Sequence, residues 1–176
     1  PARCGTCRRC IDACPTDALV PAENGQWRLD SRLCVSYLTI EKRGEIPHEL
    51  TGKIGNHVFG CDICQDVCPW NGRAFVTGDT MFQPSHFAPP LKVMAELTEG
   101  EFRTVFSNSA VQRAKYAGFL RNIAIAMGNA TDPALRAPLE KLTRHADETV
   151  AAAARKALSD FDQRLDYIED TQVDTG

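Results

Sequence analysis

After Cys68 the chain contains no further cysteine, although it runs on to Gly176. All eight cysteines (4, 7, 10, 14, 34, 61, 64 and 68) are thus confined to the first 68 residues. Other absences set further bounds. No apolar run approaches the roughly 20 residues of a membrane span, so no membrane partner is expected. No charged segment followed by an apolar stretch marks a secretory signal, so a cytoplasmic location is expected. The chain opens on Pro1 rather than Met, as a fragment of a longer protein would. Residues 160–176 hold six acids but a single base, Arg164, a net charge of −5. The overall charge of −3 therefore conceals about +2 over the remaining residues. An acidic balance of this kind does not exclude a nucleic-acid partner. What is present suits one compact domain or two small ones: 176 residues, 43% hydrophobic and 24% charged.

The cysteines fall into two runs and a singleton. Eight cysteines would serve a disulfide framework, but disulfides do not require two- and three-residue intervals, and no secretory signal accompanies them. Zinc also uses paired cysteines, generally in two separated pairs. The run Cys4-Gly5-Thr6-Cys7-Arg8-Arg9-Cys10-Ile11-Asp12-Ala13-Cys14-Pro15 is instead the bacterial ferredoxin signature for [4Fe–4S] ligation. Three cysteines at two-residue intervals wrap one cubane on a tight loop, and the fourth points away. Pro15 ends the turn by fixing its own φ and removing a donor.

The second run, Cys61-Asp62-Ile63-Cys64-Gln65-Asp66-Val67-Cys68-Pro69, repeats the signature with its first cysteine missing. Cys34 is left to fill the gap. In two-cluster ferredoxins the Cys-Pro cysteine of each run ligates the other cluster. The expected partition is Cys4, Cys7, Cys10 and Cys68 for cluster 1, and Cys14, Cys34, Cys61 and Cys64 for cluster 2.

The fold expected is α+β: a two-[4Fe–4S] ferredoxin-like domain over 1–91, then an all-α HEAT-like region over 92–168. An acidic tail over 169–176 is expected to be disordered. Within the first domain, Thr16–Val20 reads as a short turn entering a strand, Asn24-Gly25 as a hairpin turn, and Trp27–Asp30 as the return strand. Trp27 and Leu29 are expected to pack. Residues 35–60 read as an inserted loop, with Gly44 and Pro47 marking a turn, and 71–91 as a linker. Beyond it, Thr98-Glu99-Gly100-Glu101 fits a capping box. Residues 109–127 carry a helical apolar stripe that Gly128-Asn129 stops. Asp132-Pro133 opens another helix, which Pro138 is expected to kink, and Asp147-Glu148 opens a third. Weak self-similarity near 30 residues, with small residues at the helix contacts, points to HEAT-like repeats. Arg113 and Arg121, about 80° apart around one helix, together with Lys115, form either a solvated face or a phosphate-binding one.

Three segments carry a resemblance: Thr39–Pro47, Phe59-Gly60-Cys61-Asp62-Ile63-Cys64-Gln65-Asp66-Val67-Cys68-Pro69-Trp70-Asn71, and Leu120-Arg121-Asn122-Ile123-Ala124-Ile125-Ala126-Met127-Gly128-Asn129. Together they resemble epoxyqueuosine reductase, over about residues 1–160. That family reduces epoxyqueuosine in tRNA to queuosine, with cobalamin as the reactive cofactor and two [4Fe–4S] clusters as electron donors to it. The resemblance implies that all eight cysteines are cluster ligands. It implies that Ser36, Cys61 and Asp62 face cobalamin, Ser36 and Asp62 being alternatively turn residues that stabilise the cluster loops. It also implies that Lys42, Arg43, Glu45, Arg113, Lys115 and Arg121 lie near the tRNA. The family's amino-terminal cobalamin domain, which supplies the catalytic acid, has no counterpart here. No catalytic residue is therefore expected in this chain, which alone should be inactive, a monomer served by an external electron donor. The competing readings are a stand-alone two-cluster carrier with a helical docking region, a cobalamin-dependent reductive dehalogenase, and a zinc-stabilised binding module.

Overall fold

The computed structural model describes residues 4–23, 25–83 and 88–173, with side chains through 168. Each cysteine run folds into a single helical turn. These are α1 (Arg9–Asp12) and α4 (Ile63–Asp66), and they pack on one another. Their backbones repeat closely. The flanking residue Arg8 has φ −122° and ψ 7°, and its counterpart Asp62 has −113° and 11°. After α1, the Cys14 N–H donates to Ile11 O at 3.3 Å; after α4, the Cys68 N–H donates to Gln65 O at 3.2 Å. The same residue spacing thus yields the same turn twice, each ended by a Cys-Pro pair.

Between the two runs lie a hairpin and two helices. Strands β1 (Leu19–Pro21) and β2 (Trp27–Leu29) pair antiparallel, with Leu19 opposite Leu29 and Pro21 opposite Trp27. Gly25, at φ +73°, supplies the left-handed turn position, while Asn24 lies outside the described residues. The packing expected of Trp27 and Leu29 is not found: they are 40% and 56% exposed, on a strand with no covering layer. Residues 35–60 likewise depart from the expected loop, because they hold α2 (Val35–Ile40) and α3 (His48–Ile54). Val35, Leu38, Ile46, Leu50 and Ile54 bury their side chains in a small core, closed by Ile125 from a later helix.

The remaining elements are mainly helical. They are α5 (Leu91–Ala95), α6 (Glu99–Val105), α7 (Lys115–Gly128), α8 (Arg136–Leu142) and α9 (Glu148–Val173), with a 3-10 turn at Ala110–Ala114 before α7. Thr98 and Glu101 form the expected capping box, each side chain taking the other's backbone N–H. Phe102, Phe106, Phe119, Leu120, Ile123, Met127, Leu139, Val150 and Phe161 fill the main core around α7. The stripe over 109–127 is not one helix, because Lys115 adopts φ +61° between the 3-10 turn and α7. Pro138 falls in the first turn of α8, where its missing N–H would have no intrahelical acceptor, so the helix continues. The helix α9 extends through Val173, so 169–173 are helical rather than a disordered tail; 174–176 lie outside the described residues.

Gly128 ends α7 as expected, but the following residue Asn129 keeps right-handed helical angles. Its small size serves packing: a Cβ there would stand 2.7 Å from the Ala157 Cβ and 2.8 Å from its carbonyl oxygen. That contact brings α7 and α9 close together, and the Ala-rich face of α9 provides the matching surface. Among the described residues, no helix is long and apolar enough to cross a membrane.

Candidate metal centre and flanking surface

None of the eight cysteines is in a disulfide, and Cys4 and Cys7 are exposed while the other six are half-buried. Cys14 and Cys61 have unlike surroundings. Burial raises the Cys14 pKa, but hydrogen bonds outweigh it and hold the thiol below its usual range. The Ala18 N–H donates to Cys14 Sγ at 3.3 Å, and the Thr16 hydroxyl lies 3.7 Å from the same sulfur. Burial pushes the Cys61 thiol up, the Ile63 N–H opposes that shift, and negative charge on Cys34, Cys64 and Cys14 adds to it.

Those electrostatic neighbours matter structurally. Cys14, Cys34 and Cys64 lie near enough to Cys61 for their charge to act on it, and the four come from three separate parts of the chain. Four cysteine sulfurs, with Cys14 accepting the Ala18 N–H and Cys61 the Ile63 N–H, suit the donor set of a [4Fe–4S] cluster, whose potential such hydrogen bonds adjust. Cys68 lines a cleft with Arg9, Asp12 and Ala13 of the first run. Among the described residues, no three Cys, His, Asp or Glu side chains close on a common point suited to one ion.

The second cysteine loop is held by side chains from α2 and α7. Gly60, at φ +75°, turns the chain so that its N–H donates to Thr39 Oγ1 at 3.0 Å. The Cys61 N–H then donates to Ser36 Oγ at 3.1 Å. Thr39 in turn donates to Val35 O at 2.8 Å. From α7, Asn122 Nδ2 donates to Thr39 O at 2.7 Å and to Val58 O at 2.8 Å. Ser36 therefore acts as the turn-stabilising residue that was one of its two expected roles, and Asp62 is the exposed flanking residue of α4.

Arg121 organises the same region. Its Nη2 donates to Leu38 O and its Nη1 to Lys42 O and Gly44 O, at 2.7–2.9 Å. Nε and Nη2 both reach Asn122 Oδ1. Leu38, Thr39 and Ile40 carry the carbonyls at the end of α2 that lack helical partners, and Arg121, Asn122 and Arg43 take one each. A cation is suited to that negative helix end. Burial, aided by the charge of Arg43, pushes the Arg121 pKa down to about 10, so the group stays protonated at neutral pH.

Arg121 therefore corrects the expected RNA contact. It is 1% exposed and its guanidinium is engaged with carbonyls, so it offers nothing to a phosphate. The other expected contacts are on the surface. Arg43 donates to Arg113 O at 2.8 Å, and Arg113 pairs with Glu41. Lys115 is exposed beside them, and Lys42 is half-buried. Glu45 forms an ion pair with Lys156 of α9 at 3.1 Å. Thr39 and Asn122 are the structural residues that sequence reasoning passed over. Their one signal was the polar pair Arg121-Asn122 interrupting the apolar run of α7.

Residues 3–71 match the family of 4Fe-4S double cluster binding domains. The chain is 49% identical over 121 residues to the epoxyqueuosine reductase of Leadbetterella byssophila, covering 69% of this chain and 38% of that protein. This chain is a relative of the epoxyqueuosine reductases. The Pseudomonas aeruginosa reductase is 50% identical over 139 residues, which are 76% of this chain and 37% of the reductase. A crystal structure of epoxyqueuosine reductase with an epoxyqueuosine-modified tRNA-Tyr stem loop superposes with a TM-score of 0.78 at 31% identity. It covers 90% of this chain and 42% of that one. The Streptococcus thermophilus reductase gives 0.74 at 30% identity over 94% of this chain and 45% of its own. The chain thus spans less than half the length of the reductases it matches.

Proposed function

We propose that this chain is the electron-delivery and tRNA-recognition part of an epoxyqueuosine reductase, which converts epoxyqueuosine in tRNA to queuosine. The observation that carries this reading is the pair of matching ferredoxin turns, α1 and α4, which pack on one another and carry the two cysteine runs. Cys4, Cys7, Cys10 and Cys68 would hold one [4Fe–4S] cluster, and Cys14, Cys34, Cys61 and Cys64 the other. When bound, the clusters supply single electrons to the cobalamin that acts on the epoxide.

The residues of this chain position and shield. Gly60 and Ser36 fix the Cys61 loop, and Ser36, Cys61 and Asp62 form the edge assigned to cobalamin. The catalytic acid and the rest of the cobalamin site are assigned to the part of the longer reductases that this chain does not span. Lys42, Arg43, Glu45, Arg113 and Lys115 form the surface assigned to tRNA. Arg43 and Arg113 are the bases most firmly held, since each is fixed through a neighbour. The helices from α5 onward are read as HEAT-like. The setting is cytoplasmic, with an external one-electron donor.

Iron and acid-labile sulfide in anaerobically prepared protein test the cofactor assignment. Eight of each per chain are expected, and stoichiometric zinc without sulfide would reject it. For the RNA surface, Arg43→Ala and Arg113→Ala in the complete reductase should weaken stem-loop binding. Each should reduce the magnitude of the salt slope by about one if it meets a phosphate. An unchanged slope would remove these residues from the interface.

A further inference from the structure

Arg121 and Asn122 of α7, and Asn129 just after it, grip the inserted helices at different places. Asn129 donates to Thr51 O and Gly55 O at 2.8 Å, at the end of α3. Arg121 and Asn122 grip the end of α2, and only they continue to the cysteine loop. From Asn122 the contacts run to Val58 O, which is two residues before Gly60, and to Thr39 O. The Thr39 hydroxyl then receives the Gly60 N–H, and Ser36 receives the Cys61 N–H. Asn122 and Thr39 are 1% and 0% exposed, so water cannot replace a lost partner without opening the core. Among the described residues, no buried side chain of a later helix donates to or accepts from the loop that opens the first cysteine run. Its neighbouring strand β2 is exposed, and the Arg8 guanidinium lies 4.9 Å from the Trp27 ring centre at the surface.

We infer that the Arg121–Asn122 pair, acting through Thr39 and Ser36, positions the Cys61 ligand and so sets the redox behaviour of one cluster and not the other. This rests on the reading that Cys14, Cys34, Cys61 and Cys64 share a cluster. The physical basis is general: partners beyond the ligands fix ligand orientation, and hydrogen bonding and solvent access near the sulfurs adjust cluster potential. Arg121 keeps Asn122 oriented, because Nε and Nη2 both hold its carbonyl oxygen and leave its amide for Thr39 and Val58. Each acts on the ligand through another group, Arg121 through Asn122, Asn122 through Thr39, and Thr39 and Ser36 through the backbone N–H groups of Gly60 and Cys61, so they are positioning residues.

The test compares Thr39→Val and Asn122→Ser with Asn129→Ala in the 176-residue protein carrying both clusters, anaerobically. Asn129→Ala also removes two hydrogen bonds, to half-buried carbonyls at the end of α3, and serves as the control for loss of stability alone. Each protein is titrated electrochemically with EPR detection of the two reduced clusters, and its Tm is measured. All three variants are expected to lower Tm. Thr39→Val and Asn122→Ser should also change the reduced-to-oxidised ratio of one cluster about tenfold at fixed potential, equivalent to about 59 mV for one electron. The other cluster should not move, and Asn129→Ala should move neither. Unchanged ratios in Thr39→Val and Asn122→Ser would overturn the inference, as would an equal change in Asn129→Ala. Wild-type protein with fewer than eight irons and eight sulfides would instead overturn the ligand assignment beneath it.

Discussion

The two cysteine runs have nearly the same backbone and very different surroundings. The first run, through α1, leaves Cys4 and Cys7 exposed beside a hairpin whose second strand faces outward. The second, through α4, begins on a loop clamped by α2 and α7, and its Cys61 packs against the small core. The comparison teaches that ligand spacing dictates the turn but not what supports it. Local geometry comes from Cys-x2-Cys-x3-Cys-Pro chemistry repeated in sequence. Rigidity and solvent access come from whichever elements pack nearby.

Removing the metal should separate the two regions most strongly. Anaerobic chelation of the loaded protein should open residues 4–34 and 61–73 to proteolysis. Residues 35–58 and 91–161 should stay protected, because their cores hardly involve cysteine. Mass analysis of the fragments reads this directly, and rapid cleavage within 35–58 would break the distinction.

Next in size, Arg121→Ala should destabilise the protein by about 3 kcal/mol, since the buried Leu38 carbonyl and the less buried Lys42 and Gly44 carbonyls lose their donor and Asn122 loses its partner. Arg121→Lys should recover only part of this, because an ammonium lacks the planar fork that spans them. Urea denaturation measures both, and a wild-type midpoint for Arg121→Ala would show that the clamp contributes nothing.

The smallest effect is expected on the exposed side. Trp27→Ala removes a surface ring and its contact with Arg8, so it should cost about 1 kcal/mol or less. A larger loss in thermal melts would mean that the hairpin supports the first run as firmly as α7 supports the second.

Much of the site was readable from the cysteines, because a ligand set imposes fixed intervals and a terminal proline. The capping box at Thr98 and Glu101 was equally plain, since both partners are three residues apart. The segment 35–60 was not. Gly44, Pro47, Gly52 and Gly55 punctuate it as they would a loop, yet its helices need only six and seven residues and are stabilised by packing on α7. Arg121 was misread for a related reason. Its acceptors are backbone carbonyls 77–83 residues earlier, and a carbonyl leaves no mark on residue identity. Trp27 failed in the opposite direction: an aromatic residue in a strand reads as core, but no layer covers that strand.

By itself, the sequence determined the two equivalent turns, the hairpin and the main helix starts. Each depends on residues within a few positions of one another. Only the tertiary structure decided that Cys61 is anchored while Cys4 and Cys7 are exposed, and that Arg121 is a buried clamp. It also decided that Gly128 is small because Ala157 is close. These outcomes depend on contacts between distant segments, where burial, not residue type, decides whether a charge meets solvent or a helix end.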